Sequence, residues 1–141
     1  MNLKTKHIPV LLRETLELLD PQPGEFFIDG TFGGGGHAGA ILERVSPGGK
    51  LLAIDWNEEA ISKCNILQNQ FVNSELICIK ENFANLPEIL KEKEFSMADG
   101  LLLDLGVSSE ELENSGRGFS FQKNEPLLMT YSDDQISAKD W

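Results

Sequence analysis

Residues Phe26 to His37 read FFIDGTFGGGGH: a short apolar run ends in a carboxylate and breaks into four consecutive glycines. Phe26, Phe27 and Ile28 have the bulk and stiffness of a buried strand, and Asp29-Gly30 closes it with a pair that favours a turn. Gly33, Gly34, Gly35 and Gly36 carry no Cβ, so the main chain there is free to take positive φ and to let a ligand approach closely. His37, Ala38, Ala40, Ile41 and Leu42 then begin a helical pattern whose free N–H groups point back at the loop. Strand, glycine loop and helix are the opening of a nucleotide-binding βαβ unit, on the scale of a phosphate or a nucleoside.

The carboxylate discriminates between ligands better than the glycines do. Gly34, Gly36 and Gly39 fit G-x-G-x-x-G, which by itself points to NAD and an oxidoreductase domain. In a dinucleotide site, however, the pyrophosphate sits on the helix N-terminus, where a carboxylate ending the first strand would face two negative charges. S-adenosylmethionine has no phosphate and carries an ammonium and a sulfonium that Asp29 would attract. The methyl donor is therefore the favoured ligand and NAD the weaker alternative.

The remaining pattern repeats the unit. Pro9 sits where a helix can begin, and Val10, Leu11, Leu12, Leu16, Leu18 and Leu19 follow at roughly helical spacing until Asp20-Pro21, predicting a helix over 9–20 that covers one edge of the sheet. Residues 1–8 are polar apart from Leu3 and Ile8. The helix after the glycines runs to Val45, where Ser46-Pro47-Gly48-Gly49 breaks it. Leu51 to Ile54 form a second strand, continuously apolar as a parallel strand covered on both faces should be. It ends in Asp55, 19 residues beyond Gly36, close to the spacing of about 20 at which such folds set an acid on ribose hydroxyls. The plain alternative is a strand terminator. Asn57 is a good N-cap with Glu58 and Glu59 in the first turn, and Ala60, Ile61, Cys64, Leu67 and Phe71 recur at helical spacing.

Leu76 to Ile79 make a third strand. Phe83 follows it, either at the level of an adenine or as plain core, and Asn85 begins a short helix bearing Leu86, Ile89 and Leu90. Gly100 to Leu103 make a fourth strand, as apolar as a central one buried on both faces, ending in Asp104. Right-handed crossovers order the strands 3-2-1-4, with the switch point between the first and fourth, so that Asp29, Asp55 and Asp104 rim one crevice. From Val107 onward the pattern dissolves into loop-like residues. Arg117-Gly-Phe-Ser-Phe121 imitates part of an RNA-recognition strand, but without the repeating strands of that fold around it.

The 141 residues suffice for one domain, and 40% are hydrophobic, enough for a core. No apolar run approaches the roughly 18 residues of a membrane helix and no signal peptide begins the chain, so a soluble, cytoplasmic protein without membrane partners is expected. Cys64 and Cys78 are too few and too far apart for a disulfide framework or a metal site, and read as small buried thiols. The net charge of −11 excludes a nucleic-acid surface spread over the whole domain and leaves room only for local RNA contact.

Together, HIPVLLRETL at 7–16, DGTFGGGGHAGAIL at 29–42, LLAIDWNEEAI at 51–61, GLLLDLGVSS at 100–109 and RGFSF at 117–121 resemble the bacterial 16S ribosomal RNA (cytosine-N4)-methyltransferases, the RsmH or MraW family. The resemblance implies a Rossmann-like class I S-adenosylmethionine-dependent methyltransferase fold, acting on a decoding-centre cytidine of the small ribosomal subunit. It assigns Gly35, Gly36 and His37 to the methionine end of the donor, Asp55 to the ribose, Phe83 to the adenine region and Asp104 to the transfer site. Asp29, Gly33 and Gly34 join them from the loop itself. The resemblance sets Glu111, where the family usually has glutamine, in the segment that closes on the donor, and puts Ser108, Ser109, Arg117 and Phe119 on the substrate side.

Residues 1–106 are thus expected to form the donor-binding core and 107–141 a substrate-side segment. The remaining strands and an inserted helical domain of the longer family members would follow Trp141. Pro126-Leu127-Leu128-Met129-Thr130-Tyr131 replaces the family's P-L-D-M-R-M, losing an acid and a base together. Neither a metal nor a covalent nucleophile is called for. Two further expectations stand beside the enzyme: a donor-binding remnant without transferase activity, and a homodimer formed through the free edge of the fourth strand.

Overall fold

The computed structural model describes residues 9–107, 109–131, 133 and 135–141, and the chain divides into two compact units, Met1–Asp104 and Leu105–Trp141. Residues 1–8, with His7 and Ile8 at the start of the 7–16 motif, fall outside the described residues.

The first unit runs α1 (Leu12–Leu19), β1 (Phe26–Asp29), α2 (Gly36–Val45), β2 (Lys50–Asp55), α3 (Glu58–Gln68), β3 (Glu75–Lys80), a 3₁₀ turn (Phe83–Asn85), α4 (Leu86–Glu92) and β4 (Gly100–Leu102). The strands form one parallel sheet in the order β3-β2-β1-β4, as the crossover rule requires. Alternation along each strand divides two cores. Phe27, Leu51, Ala53 and Leu76 meet Leu16 of α1, Ala38, Ile41 and Leu42 of α2, and Ala60 and Cys64 of α3. Phe26, Ile28, Leu52 and Ile54 turn to the other face and meet Ile89 of α4.

The junction of β1 with β4 is fastened at its start. The Phe26 N–H donates to Asp99 Oδ2 at 2.8 Å and the Asp99 N–H returns a bond to the Phe26 carbonyl at 2.7 Å. Gly100 is required there, because a Cβ would lie 2.2 Å from the Phe27 ring. Asn57 caps α3 as its position predicts, accepting the Glu59 N–H at 2.8 Å.

Four expectations are corrected. The N-terminal helix begins at Leu12, not residue 9: Leu11 sits in the left-handed region at φ 55. Pro9 packs against α2 instead, its Cγ 2.3 Å from where a Cβ on Gly36 would stand. Cys64 and Cys78 are not free thiols but a disulfide, with Cα atoms 6.0 Å apart. The α3 crossover returns the chain so that Cys64 faces the sheet over β3, a proximity that a separation of 14 residues does not reveal. β4 is not buried on both faces: Leu101 and Leu103 are 45% and 40% exposed, since β4 is the outer strand of the four. Lastly, the second unit is not all loop. It contains α5 (Ser109–Asn114), whose glutamates and Leu112 are adequate helix formers with too short a run to show periodicity.

Among the described residues no helix is long and apolar enough to cross a membrane.

Candidate functional site

Two of the strand ends are Asx turns. Asp29 Oδ1 accepts the Thr31 N–H at 3.1 Å and Asp55 Oδ1 accepts the Asn57 N–H at 2.8 Å, so both aspartates do terminate their strands in the ordinary way. Their second oxygens are what differ. Asp55 Oδ2 accepts the Gly33 N–H at 2.8 Å, latching the glycine loop to the end of β2, and each oxygen keeps a lone pair for a further donor. Asp29 Oδ2 is buried with no hydrogen-bond partner, in a side chain only 1% exposed. Burial, and after it the Asp55 and Asp104 carboxylates, push the Asp29 pKa from 3.8 up to about 7, against the opposing hydrogen bond from the Thr31 N–H.

The glycine loop is shaped from within. Phe32 is buried and its ring lies under Gly35, where a Cβ would stand 2.6 Å from it and where φ is +77. Gly35 is therefore a requirement of the fold. A Cβ on Gly34 would meet nothing within 4 Å, so that position is open to whatever the loop binds.

His37 occupies the first turn of α2. It is buried, its Nε2 has no partner, and its Nδ1 stands 3.9 Å from Asp104 Oδ2. The Asp104 side chain is 59% exposed, while its N–H donates to the Thr31 hydroxyl at 2.7 Å. Phe83 stands outside both core clusters and is 39% exposed. Its Cβ is 3.2 Å from where one on Gly30 would be, at the same rim. Asp29, Gly33 to Gly36, His37, Asp55, Phe83 and Asp104 all belong to this first unit.

Ser108 lies outside the described residues, and nothing is described of the Ser109 side chain. Glu111 is on α5, its carbonyl accepting the Ser115 hydroxyl at 2.6 Å. Arg117 is engaged within the second unit: its guanidinium donates to Thr130 Oγ1 at 3.1 Å and Asp133 Oδ1 at 2.8 Å. Phe119 packs on Tyr131 with ring centroids 5.4 Å apart.

Thr31 is the residue at the rim that the sequence reading passed over. The signal was present in Asp-Gly-Thr directly after a strand, a sequence that makes an Asx turn and leaves a hydroxyl beside the next element.

Chemically, this rim suits a nucleoside that carries positive charge. An orphaned, buried carboxylate oxygen attracts a cation, Asp55 offers acceptors to a vicinal diol, and Phe83 offers an exposed ring face. Asp55 and Asp104 are near enough to act on Asp29 by like charge, and their combined charge opposes a pyrophosphate.

Residues 4–141 match the family described as the MraW methylase family. The chain is 44% identical over 124 residues to Ribosomal RNA small subunit methyltransferase H of Syntrophobacter fumaroxidans, covering 88% of this chain and 39% of that protein. It is 46% identical over 125 residues to the protein of the same name from Syntrophotalea carbinolica, again covering 88% and 39%. The chain thus spans about two fifths of the length of these curated relatives. A solved structure described as an rRNA-methylase from Clostridium thermocellum shares the fold, with a TM-score of 0.50 and 17% identity over 58% of this chain and 48% of that one.

Proposed function

This chain belongs to the MraW methylase family, and from that premise we propose that it is the donor-binding part of an S-adenosylmethionine-dependent ribosomal RNA methyltransferase. The target is the exocyclic N4 amine of a cytidine in the decoding region of 16S ribosomal RNA, on the small ribosomal subunit, in a cytoplasmic setting. The observation that carries the donor is the buried Asp29 oxygen left without a partner, which a cation satisfies and a phosphate does not.

The bound donor supplies an electrophilic methyl group on a sulfonium. Asp29 and His37, with Gly33, Gly34, Gly35 and Gly36, hold the charged methionine end. Asp55 accepts the ribose hydroxyls, Phe83 covers the adenine, and Glu111 is a further donor-side candidate. Asp104 is the catalytic candidate: its exposed carboxylate accepts an N–H of the target amine, turning the nitrogen lone pair out of conjugation with the ring and toward the methyl. Residues 1–106 form the donor core in this reading, and 107–141 the substrate side, with Ser108, Ser109, Arg117 and Phe119.

Calorimetry with S-adenosylmethionine and with NAD tests the donor: binding of the first alone is expected, and NAD binding alone would overturn the reading. A second reading, a chain that binds the donor but transfers nothing, is favoured by Leu128 and Thr130 standing where the family has an acid and a base. Methylation of small ribosomal subunits by this chain, compared with a longer family member, separates the two.

A further inference from the structure

The function proposed above uses His37 as part of the loop that holds the donor and gives its imidazole no task of its own. The ring is buried, its Nε2 has no hydrogen-bond partner among the described residues, and its Nδ1 stands 3.9 Å from Asp104 Oδ2. Those surroundings decide the tautomer. With its proton on Nε2, the ring would bury an N–H without an acceptor and turn the Nδ1 lone pair toward a carboxylate. With the proton on Nδ1, the N–H faces the carboxylate and only a lone pair goes unpaired at Nε2. The doubly protonated ring again buries an unpaired N–H, now with a charge. His37 is therefore a donor aimed at Asp104.

The main chain of Asp104 is already anchored, its N–H donating to the Thr31 hydroxyl at 2.7 Å. Its side chain is largely exposed, and an anchored main chain leaves both side-chain torsions free, so the carboxylate needs a second point to keep one orientation. We infer that His37 is that point: a positioning residue whose Nδ1–H holds Asp104 Oδ2, so that Oδ1 is the oxygen presented to the target amine. The inference rests on the transferase reading of the site. At 3.9 Å the two groups are at ion-pair distance, beyond the roughly 3.2 Å of an N–H···O bond. The ring belongs to α2, which Ala38, Ile41 and Leu42 pack into the core, so the exposed carboxylate is the partner that turns to close the gap. Orientation matters here because an acceptor that must first be ordered gives up part of the gain from meeting the amine in a reactive geometry.

The tether is read first without ligand, by nitrogen-15 NMR of the His37 ring in the full chain at alkaline pH, with His7→Gln serving to assign the signals. Wild type is expected to carry the ring proton on Nδ1, and Asp104→Ala to move the ring toward the Nε2–H form. A ring protonated on Nε2 in wild type, or ring signals that Asp104→Ala leaves unchanged, overturns the inference. Methylation of small ribosomal subunits gives the second readout, comparing His37→Leu, which removes the donor, with His37→Asn, whose amide N–H stands near the place of Nδ1–H. His37→Leu is expected to lower kcat about tenfold or more, the range for losing a hydrogen bond to a charged group, and to lower kcat by more than it raises the KM for S-adenosylmethionine. His37→Asn is expected to recover part of that loss. A defect wholly in KM, or His37→Asn as slow as His37→Leu, overturns the inference. Should wild type transfer nothing, the transferase reading fails, and the ligand-free ring spectra still decide the tether. Should His37→Leu not fold, His37→Gln, whose longer amide overshoots Asp104, takes its place and is expected to be slower than His37→Asn; equal rates overturn the inference.

Discussion

Asp29 makes the fold sensitive to pH in a direction opposite to most carboxylates. Its pKa of about 7 lies above the 3.8 of an ordinary aspartate, so the folded state binds the proton more tightly than the unfolded chain does. Its contribution to stability is complete below about pH 3.8 and is lost as the pH rises through about 7. Urea unfolding at pH 5 and pH 8 should show Asp29→Asn gaining on wild type between the two; a constant difference would mean the carboxyl does not titrate there. The glycines separate fold from ligand in the same spirit. Gly35→Ala forces a Cβ at positive φ into the Phe32 ring and is expected to lower stability by about 1–3 kcal/mol. Gly34→Ala meets open space and should leave the melting temperature unchanged while weakening S-adenosylmethionine binding. Unchanged affinity in Gly34→Ala would show that the loop does not touch the donor. Asp29, Asp55 and the glycines were legible because residue type and spacing announce them. Thr31 and the orphaned Asp29 oxygen were not, since they depend on burial and on a pairing with Asp104 that spans 73 residues.

At the scale of elements, the strands were readable because a parallel strand covered on both faces leaves an unbroken apolar run, and α3 because Asn57, its first-turn glutamates and its apolar spacing agree. Two of the misreadings fall where local pattern says least: at α5, a single turn and a half with one leucine, and at Cys64 and Cys78, whose partnership is a property of the crossover and not of the spacing. β4 is the element whose surroundings matter most. Its outer edge carries main-chain groups that the sheet leaves unpaired, and Leu101 and Leu103 beside it are exposed. Natural sheets usually blunt such an edge with charge or cover it. Sedimentation at increasing concentration is therefore expected to show self-association, and Leu101→Lys, on the exposed face of β4, to weaken it. A monomer at all concentrations for both proteins would show that the edge is already protected.

For the whole molecule, charge governs what RNA can do. A surface of net −11 repels the phosphate backbone at long range, so binding must come from a local cluster strong enough to overcome that field. The segment from Arg117 to Lys123 is the natural place to look. Yet the Arg117 guanidinium already serves Thr130 and Asp133, and the Asp133 carboxylate beside it offsets its charge. Few phosphates can then be neutralised, so few counterions are released and affinity stays near the nonspecific range. The chain is expected to bind a 16S-derived RNA hairpin with Kd no tighter than about 10⁻⁶ M at physiological salt, and to weaken further as salt rises. Asp133→Asn should strengthen binding modestly by uncovering Arg117, whereas Lys123→Glu should weaken it. Fluorescence anisotropy over a series of potassium chloride concentrations measures all three. Nanomolar binding that ignores salt would mean that these 141 residues hold a base-reading surface of their own, built from uncharged groups rather than from Arg117 and Lys123.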